Sequence, residues 1–218
     1  NAFLPTLEDS HLEVPLGQWV LKEAIYQMNL WRDAGEDLSV SINISARHLM
    51  DRSFTRYLEN YLHSHPTVEP RQITLEVLES TALDDIRRAS SVLARCQELG
   101  FRIALDDFGT GFSSLTYLRT LPVDLVKIDK SFVRNMLNDA SDRAIVESVI
   151  FLGQRFTHPI LAEGVETMDH ARALRQLGCD YIQGYGIARP MPAGEVLEWL
   201  QQWHQHAAIE GDDMEPLS

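Results

Sequence analysis

Residues 100–115 read Gly100-Phe101-Arg102-Ile103-Ala104-Leu105-Asp106-Asp107-Phe108-Gly109-Thr110-Gly111-Phe112-Ser113-Ser114-Leu115. A mostly apolar run of strand length, Phe101 to Asp107, ends in two adjacent acids and passes into a glycine-bearing turn. Just before it, Ala89, Val92, Leu93, Cys96 and Leu99 recur at helical spacing. Gly100 then stands where a helix end favours a residue free to adopt the left-handed conformation. Helix, glycine, strand and polar strand end make one α/β unit.

The unit recurs outward in both directions. Strands are predicted at Leu38–Ile44, Gln72–Leu78, Phe101–Asp107, Asp124–Asp129, Pro159–Glu163 and Asp180–Tyr185. Between them Leu16, Trp19, Val20, Ala24, Met28 and Trp31 share a helical face, as do Ile145, Val149 and Leu152, then Val196, Leu197, Leu200 and Trp203. The tryptophans are therefore expected in core packing rather than in base stacking. Gly35 and Gly178 also follow a helical stripe and precede a strand. Such alternation gives a parallel sheet, either open and doubly wound or closed into a barrel. A closed (β/α)8 barrel takes eight units and typically about 250 residues. With six strands in 218 residues, a barrel reading expects two units upstream of Asn1. Residues 1–208 are expected to form one domain, and 209–218 an acidic, disordered tail.

The chain is 44% hydrophobic and 23% charged, an ordinary globular composition. It shows neither an 18-residue apolar run nor a signal peptide, which predicts a cytoplasmic fragment without membrane contact. Cys96 and Cys179 form no C-x-x-C pair and read as buried thiols. The net charge of −13 argues against binding a DNA or RNA polymer. An anionic substrate would need bound cations to attract it.

Parallel barrels carry their chemistry at the C-terminal strand ends. Here these ends hold Asn43, Glu76 with Glu79, Asp106 with Asp107, Lys127 with Asp129, Glu163 with Glu166, and Gln183. Any one of them reads equally well as a helix cap. At six successive ends that reading weakens, and least of all does it suit Asp106 and Asp107, two adjacent acids that repel. Hard oxygen ligands of this kind suit magnesium or manganese rather than zinc. A pair of such ions is a recurrent device for phosphodiester hydrolysis. His63 and His65, and likewise His204 and His206, lack the partners of a zinc site. Asp107-Phe108-Gly109 spells a kinase tripeptide without the rest of a kinase.

Five stretches in order resemble the EAL-domain family of cyclic di-GMP phosphodiesterases: Ser41-Ile42-Asn43-Ile44-Ser45-Ala46, Ala104 to Leu115, Val126-Lys127-Ile128-Asp129-Lys130-Ser131-Phe132, Ala162-Glu163-Gly164-Val165-Glu166-Thr167, and Gln183-Gly184-Tyr185 with Arg189-Pro190. Phe3-Leu4-Pro5 and Leu16 to Leu21 look like the family's opening segment. The resemblance implies a TIM-like barrel of the EAL type, N-terminally incomplete here, that hydrolyses cyclic di-GMP to its linear dinucleotide with two Mg2+ or Mn2+ ions. It implies metal ligation by Asn43, Glu76, Asp106, Asp107 and Glu163. Lys127 would touch the attacking water or a phosphate oxygen, Glu163 would share in catalysis, and Gln183 would hold the water. Arg189 would contact the nucleotide. Glu79 would anchor the loop bearing Gly109, Thr110, Gly111, Phe112 and Ser113, which in the family links a homodimer contact to metal binding.

Two departures stand out. Leu78 occupies a position where the family usually has threonine, and the Glu-Ala-Leu tripeptide with its nearby arginine is not in this sequence. The resemblance places those residues on an upstream strand, so impaired activity is expected of this fragment. It also implies fusion to, or regulation by, sensory or GGDEF-type domains. The alternatives are a cyclic di-GMP receptor that binds without cleaving and an unrelated metal-dependent barrel that stabilises an enolate.

Overall fold

The computed structural model describes residues 7, 10–82, 85–110 and 114–210. Gly111, Phe112 and Ser113 of the glycine-bearing loop lie outside the described residues, as do Phe3-Leu4-Pro5 and residues 211–218. The elements run α1 Glu13–Asp33, β1 Val40–Asn43, α2 Ala46–Leu49, α3 Phe54–Ser64, β2 Ile73–Leu78, α4 Ile86–Glu98, β3 Arg102–Phe108, α5 Ser114–Thr120, β4 Leu125–Ile128, α6 Lys130–Asn135, α7 Ala140–Phe156, β5 Ile160–Glu163, α8 Met168–Leu177, β6 Tyr181–Gln183 and α9 Val196–Glu210. Each of the six predicted strands is present, and Gly35, Gly100 and Gly178 all take positive φ at helix ends.

Strand order follows chain order, β1 to β6, and every pairing is parallel. The sheet curls into a half-barrel clothed by helices. Alternate side chains separate its two faces. One set, Ile42, Ile73, Leu75, Val77, Ile103, Leu105, Val126, Ile128, Ile160 and Ala162, is buried in the core. The opposite set places Asn43, Glu76, Asp106, Lys127, Glu163 and Gln183 toward the concave side near the C-terminal strand ends.

Two expectations about α1 and the tryptophans need correction. The buried stripe of α1 is Leu21, Ile25 and Met28, whereas Trp19 is 58% exposed. Apolar residues cover more than one side of this helix, so spacing alone does not fix which side faces the sheet. Packing fixes it: Gly17 lies so close to the buried His48 of α2 that a Cβ there would fall 2.1 Å from His48 Nδ1. Trp31, Trp199 and Trp203 are half-buried, with Trp31 Nε1 donating to Ala193 O at 3.2 Å and the rings of Trp199 and Trp203 stacked 5.4 Å apart.

Cys96 is buried as read from sequence, whereas Cys179 is half-buried. Cys96 and Cys179 are unbridged, and burial raises their pKa values to about 12 and about 11. No helix among the described residues is long and apolar enough to cross a membrane.

Candidate active site

The β-strands bring side chains distant in sequence to one buried cation. Lys127 Nζ on β4 lies 2.8 Å from Glu76 Oε2 on β2, 3.0 Å from Asp106 Oδ1 on β3 and 2.7 Å from Glu163 Oε1 on β5. Lys127 is 3% exposed, and Glu76 and Asp106 are buried with it. Burial alone drives a lysine toward neutrality, but Glu76, Glu163 and Asp106 outweigh it and hold the Lys127 pKa above its ordinary value. Burial raises the pKa of Glu163, assisted by Asp106 and Glu76 and opposed by Lys127.

A bulge explains how two consecutive acids reach this site. Leu105 pairs with Val126 and Phe108 with Ile128, so β3 spends one more residue than β4 over the same interval. The irregularity coincides with Asp107, whose φ of 53° is left-handed. Asp106 and Asp107 thereby both face the mouth, while Phe108 returns to the core at 1% exposure. Carboxylate oxygens of Asp106, Asp107 and Glu163 lie within 4.8 Å of one another. Burial first, then Asp106, a hydrogen bond to Asp129 and the charges of Asp129 and Glu163 push the Asp107 pKa up to about 6. Asp129 moves the other way. Burial opposes its ionisation, but hydrogen bonds from Ser131 and Asp107 and the charge of Lys130 hold its carboxyl below the usual range.

In the sequence Asp129 is one more acid at a strand end. It caps α6, accepting from Ser131 N at 2.9 Å, so the capping reading holds for this residue as well. It does not hold for Asp106 and Asp107. In register, Asn43 stands beside Glu76 and Gln183 beside Glu163, and both are solvent-exposed. Leu78 lies opposite Asp106 and is 41% exposed. The buried Glu79 accepts from Gly109 N at 3.2 Å, and Thr110 Oγ1 donates to Asp107 O at 2.8 Å. Arg189 lies over the Tyr185 ring, 4.9 Å from its centroid. Next to Glu163 opens a cleft of about 210 Å³ whose walls include Lys130, Arg134, Glu166, Gln183 and Tyr185. Lys130 and Arg134 gave no separate signal in the sequence, being basic residues on a short helix.

The donor set fits a hard divalent cation. Four carboxylates around one ammonium leave a formal excess of three negative charges in a largely buried site. Burial first, and then the repulsion of the neighbouring carboxylates, raise the Asp107 pKa. Oxygen-only ligands favour magnesium or manganese over softer metals.

The family model described as EAL domain matches residues 1–190. The chain belongs to the EAL domain family. This EAL domain is 41% identical over 196 residues to the bifunctional diguanylate cyclase/cyclic di-GMP phosphodiesterase MucR of Pseudomonas aeruginosa, covering 89% of this chain and 28% of MucR. It is 35% identical over 205 residues to the cyclic di-GMP phosphodiesterase PdeR of Escherichia coli, covering 94% of this chain and 31% of PdeR. The domain thus spans about a third or less of these relatives. A solved structure of the MucR phosphodiesterase in complex with c-di-GMP superimposes with a TM-score of 0.84, covering 89% of this chain and 79% of that one.

Proposed function

We propose that the parent protein, through this EAL domain, hydrolyses cyclic di-GMP to its linear dinucleotide, using two divalent cations, Mg2+ or Mn2+. The observation that carries the reading is the convergence of Glu76, Asp106 and Glu163 on Lys127, with Asp107 within reach. A ligand with two phosphates is the kind of anion that such a site accepts only with cations present. Bound there, the cations offset the charge of the phosphate and supply Lewis acidity for its hydrolysis.

The domain's own groups divide the remaining work. Glu76, Asp106, Asp107 and Glu163, with Asn43 at the rim, hold the cations. Lys127 keeps three carboxylates aligned before substrate arrives and offers its ammonium to a phosphate oxygen. Gln183, beside Glu163, orients the attacking water. The water oxygen bonds to phosphorus as the bond to the ribose 3′ oxygen breaks, and that oxygen leaves with a proton. Arg189, stacked on Tyr185, contacts the nucleotide. The reading also includes a cytoplasmic homodimer, regulated through the loop that Glu79 anchors and through further domains of the parent protein.

Chromatography of cyclic di-GMP incubated with the parent protein and Mn2+ tests this reading. Linear dinucleotide should accumulate, and chelation should stop it. Binding that survives chelation, with no linear product at any Mn2+ concentration, would replace hydrolysis with reception.

A further inference from the structure

Glu163 is the last residue of β5, and its ladder partner is Gln183 of β6. On the β4 side the register ends one residue earlier, at Ile128 and Ala162. The segment that follows, Gly164 to Thr167, is tied to β6 by Val165 N donating to Gln183 O at 3.0 Å and Gly186 N donating to Val165 O at 2.8 Å. Its attachment to the Lys127 side has to come from elsewhere.

His170 supplies it. This histidine lies in the first turn of α8, is 6% exposed, and spans from its own loop to α6. Its Nε2 lies 3.2 Å from Arg134 O and its Nδ1 lies 2.8 Å from Thr167 Oγ1. A backbone carbonyl only accepts, so Nε2 carries the proton. In the neutral ring Nδ1 then accepts from the Thr167 hydroxyl, and both nitrogens are satisfied. Helix α6 begins three residues after Lys127 and is capped by Asp129. Beside this bridge, Arg134 Nε meets Glu166 Oε1 at 2.9 Å in an ion pair about half exposed, which holds little by itself. Gly164, at φ 74°, lets the loop press against Lys130, where a Cβ would come within 2.6 Å of the lysine Cβ.

We infer that His170 is a positioning residue that fixes the Glu163 loop against α6 and so sets the distance of Glu163 from Lys127 and Asp106. The inference rests on the proposed phosphodiesterase reading, in which Glu163 helps to hold the cations. Partners that orient ligands typically cost about 10- to 100-fold in metal affinity when lost. Gln can present its amide N–H where His170 Nε2–H stands, whereas Leu fills the space without a donor.

The test compares wild type, His170→Gln and His170→Leu by calorimetric titration with Mn2+, with circular dichroism and thermal melts as the folding check. Folded His170→Leu should bind Mn2+ about tenfold more weakly, and His170→Gln should recover most of the loss. In turnover, His170→Leu should raise the Mn2+ concentration needed for half-maximal rate and change kcat at saturating Mn2+ far less. Equal Mn2+ affinity in wild type and folded His170→Leu overturns the inference, as does failure of Gln to rescue. If His170→Leu does not fold, the Gln variant together with Thr167→Val decides: the first should keep wild-type affinity and the second should lose part of it. Wild type that binds Mn2+ but cleaves nothing would sink the phosphodiesterase reading alone and leave the His170 comparison standing.

Discussion

Asp106 and Asp107 are consecutive in the chain, yet their carboxylates lie within 4.8 Å of each other and of Glu163. In an unbroken strand neighbours point to opposite faces. The bulge between Leu105 and Phe108 removes that restriction, and the left-handed backbone of Asp107 is part of it. Asp107→Gly and Asp107→Ala both lose the carboxylate but differ in backbone freedom. Chemical denaturation should find the alanine variant less stable than the glycine variant by about 1 kcal/mol or more. Equal stabilities would show that the bulge carries no such strain.

Proton competition should govern metal binding here. The Asp107 pKa of about 6 lies above the ordinary carboxylate range because burial and Asp106 disfavour its charge. Above that pH the carboxylate is free to bind; below it a cation must displace a proton. Mn2+ affinity should therefore fall as pH drops through about 6, and Asp107→Asn should bind more weakly with a flatter profile. A wild-type affinity unchanged across that interval would contradict the account.

Lys127 compensates three carboxylates, two of them buried with it. Lys127→Met should cost about 3–5 kcal/mol in metal-free protein, because the acids are left without their cation. Added Mn2+ should restore more of the melting temperature in the variant than it adds to wild type. Identical Mn2+ responses would mean that lysine and metal do not share these ligands.

Asp106→Asn and Glu76→Gln each remove a charge from the centre without changing shape. Linear dinucleotide production should fall at least about 100-fold in either variant. Retained turnover would refute their assignment as cation ligands.

His48, outside the acid and lysine cluster, offers a test of stability. It is 2% exposed, packs edge-on to Phe54 at 4.8 Å, and neither ring nitrogen has a hydrogen-bond partner among the described residues. Burial lowers its pKa, with Asp51 and Glu13 opposing. The unfolded chain therefore gains a proton as pH falls through about 6.5 while the folded chain does not, so stability drops on that side. Urea unfolding from about pH 7.5 to about pH 5.5 should show a smaller loss in His48→Phe than in wild type. Parallel slopes would remove His48 from the acid response.

Much of this architecture is written locally. The alternation of helical stripes with apolar runs, the glycines at helix ends and the polar strand ends at Asn43, Glu76, Asp106, Lys127, Glu163 and Gln183 all depend on residues within a few positions of one another. The six strands and their parallel sheet followed from those signals, as did the family to which the motifs belong. The face of α1 did not, because Trp19 and Met28 are equally apolar and only contact with β1 and α2 selects between them.

What the tertiary structure alone decided is which polar ends meet and in what state. Lys127 and Glu76 are 51 residues apart, and their contact exists only through the register of β2, β3 and β4. The extra residue at Asp107, the cap made by Asp129 and the bridge from His170 to the Arg134 carbonyl belong to the same class. Local sequence carries backbone preference and the alternation of faces. Charge compensation depends on through-space distances of about 3 Å, which only the assembled sheet brings into being.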